Sequence, residues 1–533
     1  MSDKIQGMAP GQGSLPRRQV ILTMAGVMLA LFLASLDQTI VSTALPRITT
    51  DLGGFAQYAW VATAYLVAST VTLPIAGKLS DMYGRKWFLV AGIMVFLIGS
   101  VLCGISQTMT QLIFFRAFQG LGAGAIMGLA FIIIADLFPP SERGKYAGFL
   151  SGVFGLSSVI GPTLGGYLTD SLSWRWVFFV NIPLGVLIVF LFILFFPHLR
   201  PEATKQRVDY PGMVTMVLTI VPVMLALTFA GADYDWISLP ILGTLAFSAV
   251  MGAIFLRIES RSEQPLIPLW LFKNRIVSVS AMVMFAIGFA MFAAIIFIPL
   301  YFQGVLGATA TASGTFLTPM MLGVVVGSLI SGQLLSRAGG HYRRLGMVGI
   351  AIMSLGLFLL SRMTVETGSG TAVANIVLVG FGLGVTMPLY VIAVQNAVPH
   401  SVMGVATSTI NFSRTLGGVF GLAIVGSVMS SRFLSKFTDG LPARVKEVVP
   451  PSMLTGIADN PRALVSVEAQ TRLAGLFEGF GEGGAMLLAQ LMSTLREALS
   501  ESLAAVFLVG FIVALLAFVI NFFMKEIPLR KHH

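Results

Sequence analysis

One acidic residue stands apart in this sequence. Of the 23 Asp and Glu residues, only Asp37 lies well inside a long apolar run, where a charged aspartate costs about 2.5–3.5 kcal/mol and is therefore a candidate for function. Arg116 lies in another apolar run, at a similar depth from the same predicted edge. Burial favours the protonated acid and a nearby arginine favours the carboxylate, so a pair that separates and re-forms could bind and release a proton. The alternative is a purely structural buried ion pair.

The rest of the chain predicts the environment of these two charges. The 533 residues are 56% hydrophobic and 11% charged, with a mean hydropathy of +0.88, which is typical of a protein that crosses a membrane many times. Segments in hydrocarbon must satisfy their own backbone hydrogen bonds, so the apolar runs are predicted to be helices. We expect an all-α polytopic membrane protein with fourteen spans, near residues 20–44, 57–77, 87–106, 111–136, 146–168, 175–197, 211–231, 237–256, 276–303, 313–336, 344–361, 371–396, 403–431 and 499–524.

Lysine and arginine residues predict which side of the membrane each loop faces. Cytoplasmic loops retain an excess of these residues, and most of the 33 in this chain lie in the two tails and in the loops after even-numbered spans. The short loops of the opposite side hold only Arg47, Arg175 and Arg362. The long segment 432–498 holds more, but long loops cross the membrane regardless of charge. We therefore expect both termini in the cytoplasm and the spans in the cell membrane.

A weak internal repeat predicts two homologous halves. Three positions in the loop after span 2 recur 255 residues later, in the loop after span 10: Gly77, Leu79 and Gly84 match Gly332, Leu334 and Gly339. Such repeats occur in transporters whose halves are related by an axis along the membrane normal. We expect a tail (1–19), a six-helix half (20–197), an inserted helix pair with flanking loops (198–275), a second six-helix half (276–524) with a long extracytoplasmic loop (432–498), and a tail (525–533).

Leucines in the predicted loop 432–498 indicate an amphipathic helix at the outer interface that continues into span 14.

Several motifs then resemble one family. Residues 37–46 are similar to the first-span motif of the fourteen-span drug:proton antiporters of the major facilitator superfamily, the EmrB/QacA type. Four further segments resemble the hallmark loop, the fourth-span arginine motif and two subfamily signatures: 77–86, 116–124, 174–183 and 299–303. The spacing of the fifth-span antiporter motif is kept by Gly152, Gly161, Pro162, Gly165 and Gly166. The resemblance implies the superfamily fold of two six-helix halves plus an inserted pair, and contact between the first-span acid and the fourth-span arginine.

The resemblance also implies a conformational latch on the cytoplasmic side, which in the family is proposed to hold the outward-open state. Its residues here are Gly77, Asp81, Gly84, Arg85, Lys86 and Asp136. Asp81 precedes span 3, whose N-terminal end favours an anion, and Asp136 could pair with Arg85 and Lys86. The alternative is simple anchoring by basic residues and a tight turn at Gly84. Ser336 stands in place of the acid in the second half, so we expect no acid-dependent latch there.

The glycines and proline of the fifth span predict a bend. Proline removes a helix hydrogen bond, and glycines permit close crossing of helices. A bend at the interface between the halves would suit a rocking motion, with ordinary helix packing as the alternative.

Polar and aromatic residues in or near the spans are candidates to line a substrate cavity. They are Trp60, Tyr65, Gln119, Asn181, Tyr301, Phe302, Gln303, Gln395, Asn396, Asn411 and Arg414. A wide cavity of aromatic residues and methionines would bind varied lipophilic molecules through burial of their area. Each of these residues could instead join one helix to another. Arg414 has no intramembrane acid in its half, and residues 264–365 contain no Asp or Glu.

Composition and motifs favour a transporter over an enzyme. All five histidines lie at span ends, in loops or in the tail, which argues against buried histidine catalysis and against a metal cluster. The sequence lacks a G-x-x-x-x-G-K-[ST] loop for ATP. We therefore expect no cofactor, no metal and no nucleic acid, and a monomer whose partners are the lipid bilayer, protons and a lipophilic small molecule. The predicted function is proton-coupled antiport of lipophilic, mainly cationic drugs by alternating access; the alternative is export of a lipid, a fatty acid or another amphipathic metabolite.

Overall fold

The computed structural model describes residues 16–52, 57–197, 208–230, 234–307, 316–338, 341–448, 450, 475, 477 and 484–528. Within these residues, fourteen helices are long and apolar enough to cross a membrane, so the predicted all-α fold and number of spans are confirmed. They are α1 (Arg17–Leu52), α2 (Tyr58–Tyr83), α3 (Arg85–Gly104), α4 (Met109–Leu137), α5 (Pro140–Ser171), α6 (Asn181–Phe195), α7 (Tyr210–Phe229), α8 (Leu239–Glu259), α9 (Arg275–Leu300), α10 (Leu317–Ala338), α11 (Tyr342–Ser361), α12 (Ser369–Ala397), α13 (Met403–Gly440) and α14 (Gly484–Asn521).

The pairing of helices repeats between α1–α6 and α9–α14. In the first group, α4 packs against α2 and α3, and α1 packs against α5 and α6; eight helices later, α12 packs against α10 and α11, and α9 against α13 and α14. The glycines that permit these close approaches recur as well. Gly120 and Gly124 bring α4 against the backbone of α2, and Gly380 and Gly384 bring α12 against the backbone of α10. Because small residues let helices approach closely in lipid, the repeat seen in the loops extends into the packing.

The inserted helices α7 and α8 contact both groups. They pack on each other, and α7 also contacts α2 and α13. Trp60 of α2 lies against Phe229 of α7, with ring centroids 4.4 Å apart. In the connection between α7 and α8, Nε1 of Trp236 donates to Oγ of Ser427 on α13 at 2.9 Å. The pair therefore bridges the two groups of helices.

Several helices continue past the ends that hydropathy predicts. We call the side at which α1 begins the inner side and the opposite side the outer side. At its outer end α1 runs on to Leu52, where Ile48 is buried and Asp51 accepts a hydrogen bond from Nε1 of Trp174 at 2.9 Å. Contacts with the neighbouring loop thus carry the helix beyond its apolar run.

The predicted long loop 432–498 begins and ends within helices. α13 continues to Gly440, and α14 already begins at Gly484. Lys436 of α13 pairs with Glu501 of α14 at 2.6 Å, and the leucines of the predicted amphipathic stripe join the same hydrophobic cluster as the end of α13. The predicted amphipathic helix does continue into span 14, with its apolar side against α13. Most of residues 449–483 lie outside the described residues.

Candidate proton-coupling site and inner latch

Asp37 lies at the centre of a buried polar network among α1–α6. Its Oδ2 accepts a hydrogen bond from Nη1 of Arg116 at 2.5 Å, and its Oδ1 accepts from the side-chain amides of Gln119 and Asn181, both at 2.9 Å. Asp37 is 0% exposed and Arg116 is 2% exposed. Hydrogen bonds between charged groups are short and strong, and here they offset the desolvation of both charges. The structure therefore joins the two residues for which the sequence indicated equal depth.

Arg116 has further partners that hold it in place. Nη1 also donates to Oε1 of Gln119 at 2.7 Å, and Nε donates to the carbonyl oxygen of Val61 at 3.4 Å. The guanidinium lies over the ring of Tyr65, 4.2 Å from its centroid, in the geometry of a cation–π contact. Tyr65 in turn donates to the carbonyl oxygen of Ala34 on α1 at 3.1 Å. The arginine is thus braced by α2 as well as by the acid on α1.

Ser100 of α3 completes the network and is missing from the sequence-based candidates. Its Oγ accepts from the amides of Gln119 at 3.0 Å and Asn181 at 2.9 Å, and donates to the carbonyl oxygen of Phe178 at 3.1 Å. Gly99 allows this approach, since a Cβ there would lie 2.6 Å from Cα of Gln119. A Gly-Ser pair inside an apolar span is the sequence signal that could have identified it.

The structure separates the predicted cavity residues into distinct environments. Tyr65, Gln119 and Asn181 belong to the buried network around Asp37 rather than to an open surface. Four others donate hydrogen bonds to backbone carbonyl oxygens: Tyr301 Oη to Thr364 at 2.8 Å, Gln395 Nε2 to Phe131 at 3.3 Å, Asn396 Nδ2 to Pro528 at 3.0 Å, and Asn411 Nδ2 to Thr407 at 3.2 Å. The ring of Phe302 stacks on that of Phe316. Trp60, Gln303 and Arg414 are partly exposed. These three therefore remain candidates for direct contact with a substrate.

A π-helical turn sits where the sequence predicted cavity residues near the end of span 9. Tyr301–Val305 form this turn directly after α9. Such turns interrupt the regular hydrogen-bond ladder and occur frequently at functional sites.

Arg85 is the centre of the inner latch. Its Nε donates to Oδ2 of Asp136 at 2.9 Å, and its Nη1 donates to Oγ of Ser80 at 2.7 Å and pairs with Asp81. Gly84 turns the chain between α2 and α3 with a φ of 91°, a conformation that glycine adopts at little cost. The turn and the ion pairs together join α2, α3 and α4.

Asp81 contacts a different helix from the one that the sequence predicts. It was expected at the N-terminal end of span 3, but α2 continues to Tyr83, so Asp81 lies in the last turn of α2. Its Oδ2 accepts a hydrogen bond from the backbone N–H of Val405, in the first turn of α13, at 3.2 Å. The free N–H groups and the dipole at a helix N-terminus favour such a carboxylate. A Cβ at Gly404 would lie 2.7 Å from Cγ of Asp81, so the latch is a tight contact between the two groups of helices.

Lys86 is directed away from the acids of the latch. Of the two basic residues expected to pair with Asp136, Arg85 does so, whereas Nζ of Lys86 donates to the carbonyl oxygens of Ile193 at 2.9 Å and Phe196 at 3.2 Å. These are end carbonyls of α6, which lack partners within the helix, and a lysine near a helix C-terminus also suits the dipole. This contact depends on the packing of α6 against α3, which the local sequence around Lys86 does not reveal.

Arg143 is a further inner-side residue that sequence analysis counted only as a basic loop residue. Its Nε donates to the carbonyl oxygen of Phe138 at 2.9 Å, and its Nη2 to that of Ala135 at 2.8 Å, at the end of α4. Nη1 reaches Sδ of Met403, across the interface, at 3.8 Å. Burial lowers the pKa of Arg143 to about 10, although nearby Asp136 raises it. The guanidinium therefore stays charged at neutral pH while it joins α4 to α13.

The outer part of α5 packs tightly against the helix that carries Asp37. A Cβ at Gly161 would lie 2.7 Å from Cβ of Thr39, and one at Gly165 would lie 2.6 Å from the carbonyl oxygen of Ile40. Oγ1 of Thr39 donates to the carbonyl oxygen of Ser157 at 3.0 Å. Two of the glycines in the antiporter motif thus hold α5 against α1, and Pro162 lies between them inside the helix.

The inner part of α5 packs against α10, across the interface. A Cβ at Gly152 would meet Val325 at 3.5 Å, and one at Gly155 would meet Cβ of Met321 at 3.2 Å. Among the glycines of the motif, Gly152 therefore lies at the interface with the second group, whereas Gly161 and Gly165 lie against α1. Nothing lies within 4 Å of a Cβ built at Gly166. A single helix therefore connects the Asp37 helix with the opposite group.

The contrast between two of these glycines provides a matched test. We expect Gly161→Ala to impair export about tenfold or more, because the added methyl group forces α5 away from α1, and overpacking of this kind costs about 1–3 kcal/mol. Gly166→Ala should leave export unchanged. Initial rates of efflux from proteoliposomes, at equal amounts of folded protein, measure both. Equal activity of the two variants would contradict the assignment of the α1–α5 contact.

Comparison with known proteins places the chain in a family. Residues 27–422 match the sequence profile of the Major Facilitator Superfamily. The chain belongs to this superfamily. It is 43% identical to Multidrug resistance protein 3 of Bacillus subtilis (strain 168), over 78% of this chain and 80% of that protein. It is 38% identical to the Multidrug transporter protein MdtP of the same strain, over 85% of this chain and 84% of that protein.

Solved structures agree with the superfamily fold. The proton:xylose symporter XylE has a TM-score of 0.59 at 12% identity, covering 96% of this chain and 98% of its own. The human organic anion transporter MFSD10 has a TM-score of 0.57 at 13% identity, covering 93% of this chain and 99% of its own. At such identities the likeness concerns the fold alone. Together with the family and its relatives, it indicates a multi-pass membrane transporter rather than an enzyme.

Proposed function

We propose that this superfamily member exports lipophilic compounds, mainly cations, in exchange for protons. The relatives named as multidrug transporters support drug efflux. The proposal of proton coupling rests on one observation: the carboxylate of Asp37 is buried among the spanning helices and accepts hydrogen bonds from Arg116, Gln119 and Asn181. An ionisable residue at such a depth is rarely retained without a function. The proton gradient supplies the energy, with no cofactor.

The proton step follows from the partners of Asp37. In this proposal Asp37 is a carboxylate while Arg116 stays in contact, and it takes up a proton when that contact opens. A proton that enters down a potential of 100 mV contributes about 2.3 kcal/mol, which is comparable to the strength of one charge-assisted hydrogen bond. Protonation would thus lower the cost of separating the pair and favour the rearrangement that releases the substrate.

The helix contacts suggest how a change at Asp37 could move the second group of helices. Asp81 holds the beginning of α13, and α5 contacts both α1 and α10. A change in the Asp37–Arg116 pair would move α1, and α5 would transmit that movement to the opposite group. We propose that the inner side is cytoplasmic, that this conformation is closed to the cytoplasm, and that the protein works as a monomer in the cell membrane with both ends inside.

An exchange assay tests this function directly. Purified full-length protein is reconstituted in proteoliposomes, a pH gradient is imposed, and the movement of ethidium and of protons is followed with fluorescent reporters. We expect ethidium to move against its gradient and to release protons, and both signals to vanish when nigericin collapses the pH gradient. Ethidium movement that is insensitive to nigericin would refute proton coupling.

A second candidate substrate class is an amphiphile such as a lipid or fatty acid. One observation favours it: Arg414 is a basic residue within α13 for which the structure provides no acidic partner among the described residues. Movement of a labelled fatty acid in the same assay, without ethidium exchange, would select this alternative.

A further inference from the structure

Arg414 differs from the other arginine in the spans. It lies on α13 and is partly buried; its Nη1 reaches Sδ of Met291 on α9 at 3.9 Å, and its Nε is buried without a hydrogen-bond partner. Arg116, by contrast, has a carboxylate, an amide and a carbonyl oxygen as acceptors. Among the residues that the structure describes, no carboxylate pairs with Arg414. A desolvated charge of this kind is unfavourable unless something binds it.

The backbone of Arg414 lies in a close contact between α9 and α13. α9 and α13 meet at glycines, and a Cβ at Gly288 would lie 3.1 Å from Cα of Arg414. A Cβ at Gly417, one turn further along α13, would lie 2.8 Å from Cα of Phe285. The guanidinium lies next to the apolar and polarisable side chain of Met291 on α9. A charged group beside a methionine suits a ligand that has one ionic group and a lipophilic body.

Asp37 in the first group of helices and Arg414 in the second differ in how fully their charged side chains are hydrogen-bonded. Both oxygens of Asp37 are occupied by donors from α4 and α6, and its side chain is fully buried. In this conformation a cation cannot reach that carboxylate without breaking the network. Arg414, by contrast, is partly exposed, and its buried Nε makes no hydrogen bond, so its guanidinium is not committed to a protein acceptor in the way that Asp37 is to its donors.

We propose that Arg414 binds the carboxylate of a transported amphiphile, so that the substrates include lipophilic carboxylic acids as well as cations. The planar guanidinium matches a carboxylate through two parallel hydrogen bonds, and Met291 would contact the lipophilic part. This inference rests on the proposed export function and specifies its substrate class. It predicts that the acid is bound by the second group of helices, through Arg414, whereas the proton is bound and released by the first group, at Asp37.

Equilibrium binding in lipid nanodiscs tests this assignment without any gradient. The probes are dansyl-undecanoic acid, its methyl ester and ethidium, each titrated against the full-length protein. We expect Arg414→Gln to weaken binding of the acid about tenfold or more, as expected for the loss of hydrogen bonds to a charged group. Binding of the ester and of ethidium should change less than twofold, which also shows that the variant is folded.

Two further variants complete the test. Arg414→Lys keeps the charge but not the fork of donors, and should recover part of the affinity for the acid. Arg432→Gln removes an exposed arginine from the same helix and should have no effect. Unchanged binding of the acid by Arg414→Gln, or an equal loss for acid and ester, would overturn the proposal. Failure of proton-coupled ethidium exchange by the unmodified protein would instead refute the proposed function and leave this binding result standing.

Discussion

Asp37→Asn is expected to abolish proton-coupled export, reducing ethidium-evoked proton release by more than tenfold. Asparagine has nearly the same shape as aspartate but cannot bind and release a proton in this range. The substitution also leaves Arg116 buried without its counterion, and breaking a buried pair in this way costs about 3–5 kcal/mol. Activity must therefore be compared at equal amounts of folded protein, with the thermal midpoint recorded for each variant.

Three companion variants separate coupling from folding. Asp37→Glu keeps a titratable group and should retain some exchange. The double variant Asp37→Asn, Arg116→Gln removes both charges, so it should regain stability without regaining exchange. Asp170→Asn removes an exposed carboxylate at the outer end of α5 and should behave as the unmodified protein. Export by Asp37→Asn at the original rate, with the same dependence on pH, would show that the proton is carried elsewhere.

Asp81→Asn is expected to open the inner side. The carboxylate both accepts from the N–H of Val405 and pairs with Arg85, and a hydrogen bond to a charged group contributes about 1.5–3 kcal/mol. Its loss should shift the balance between inner-closed and inner-open states by about 10- to 100-fold. Export should fall because the cycle then stays in the inner-open state.

Distance measurements by pulsed electron paramagnetic resonance report this shift. Spin labels at Tyr83 and Arg344, both exposed near inner helix ends, span the interface, while the native Cys103 is buried and should not react. We expect a longer distance population in Asp81→Asn. Glu142→Gln, which alters an exposed acid on the same side, is the matched control. Identical distributions in Asp81→Asn and the unmodified protein would mean that the contact with α13 does not hold the inner side closed.

Hydropathy and charge predict the architecture well because they depend on local sequence. Each span must be apolar over its own length to lie in hydrocarbon, so fourteen spans can be counted without knowledge of their neighbours. The equal depth of Asp37 and Arg116 follows from the same local count, and the family resemblance implied their contact. Gln119, three residues after Arg116, lies on the same helix face, yet sequence analysis assigned it to the cavity.

Contacts between side chains on distant helices could not be predicted from the local sequence. Ser100 and Asn181 converge on Asp37 because Gly99 lets α3 approach α4 and because α6 packs beside α1. Asp81 binds the N-terminus of α13 and Lys86 caps the C-terminus of α6, contacts between helix ends that depend on how the bundle assembles. The sequence alone determined the number of spans, the two buried charges and the family motifs. Only the tertiary structure decided which side chains surround Asp37 and which acid contacts the N-terminus of α13, because both depend on packing between helices far apart in the chain.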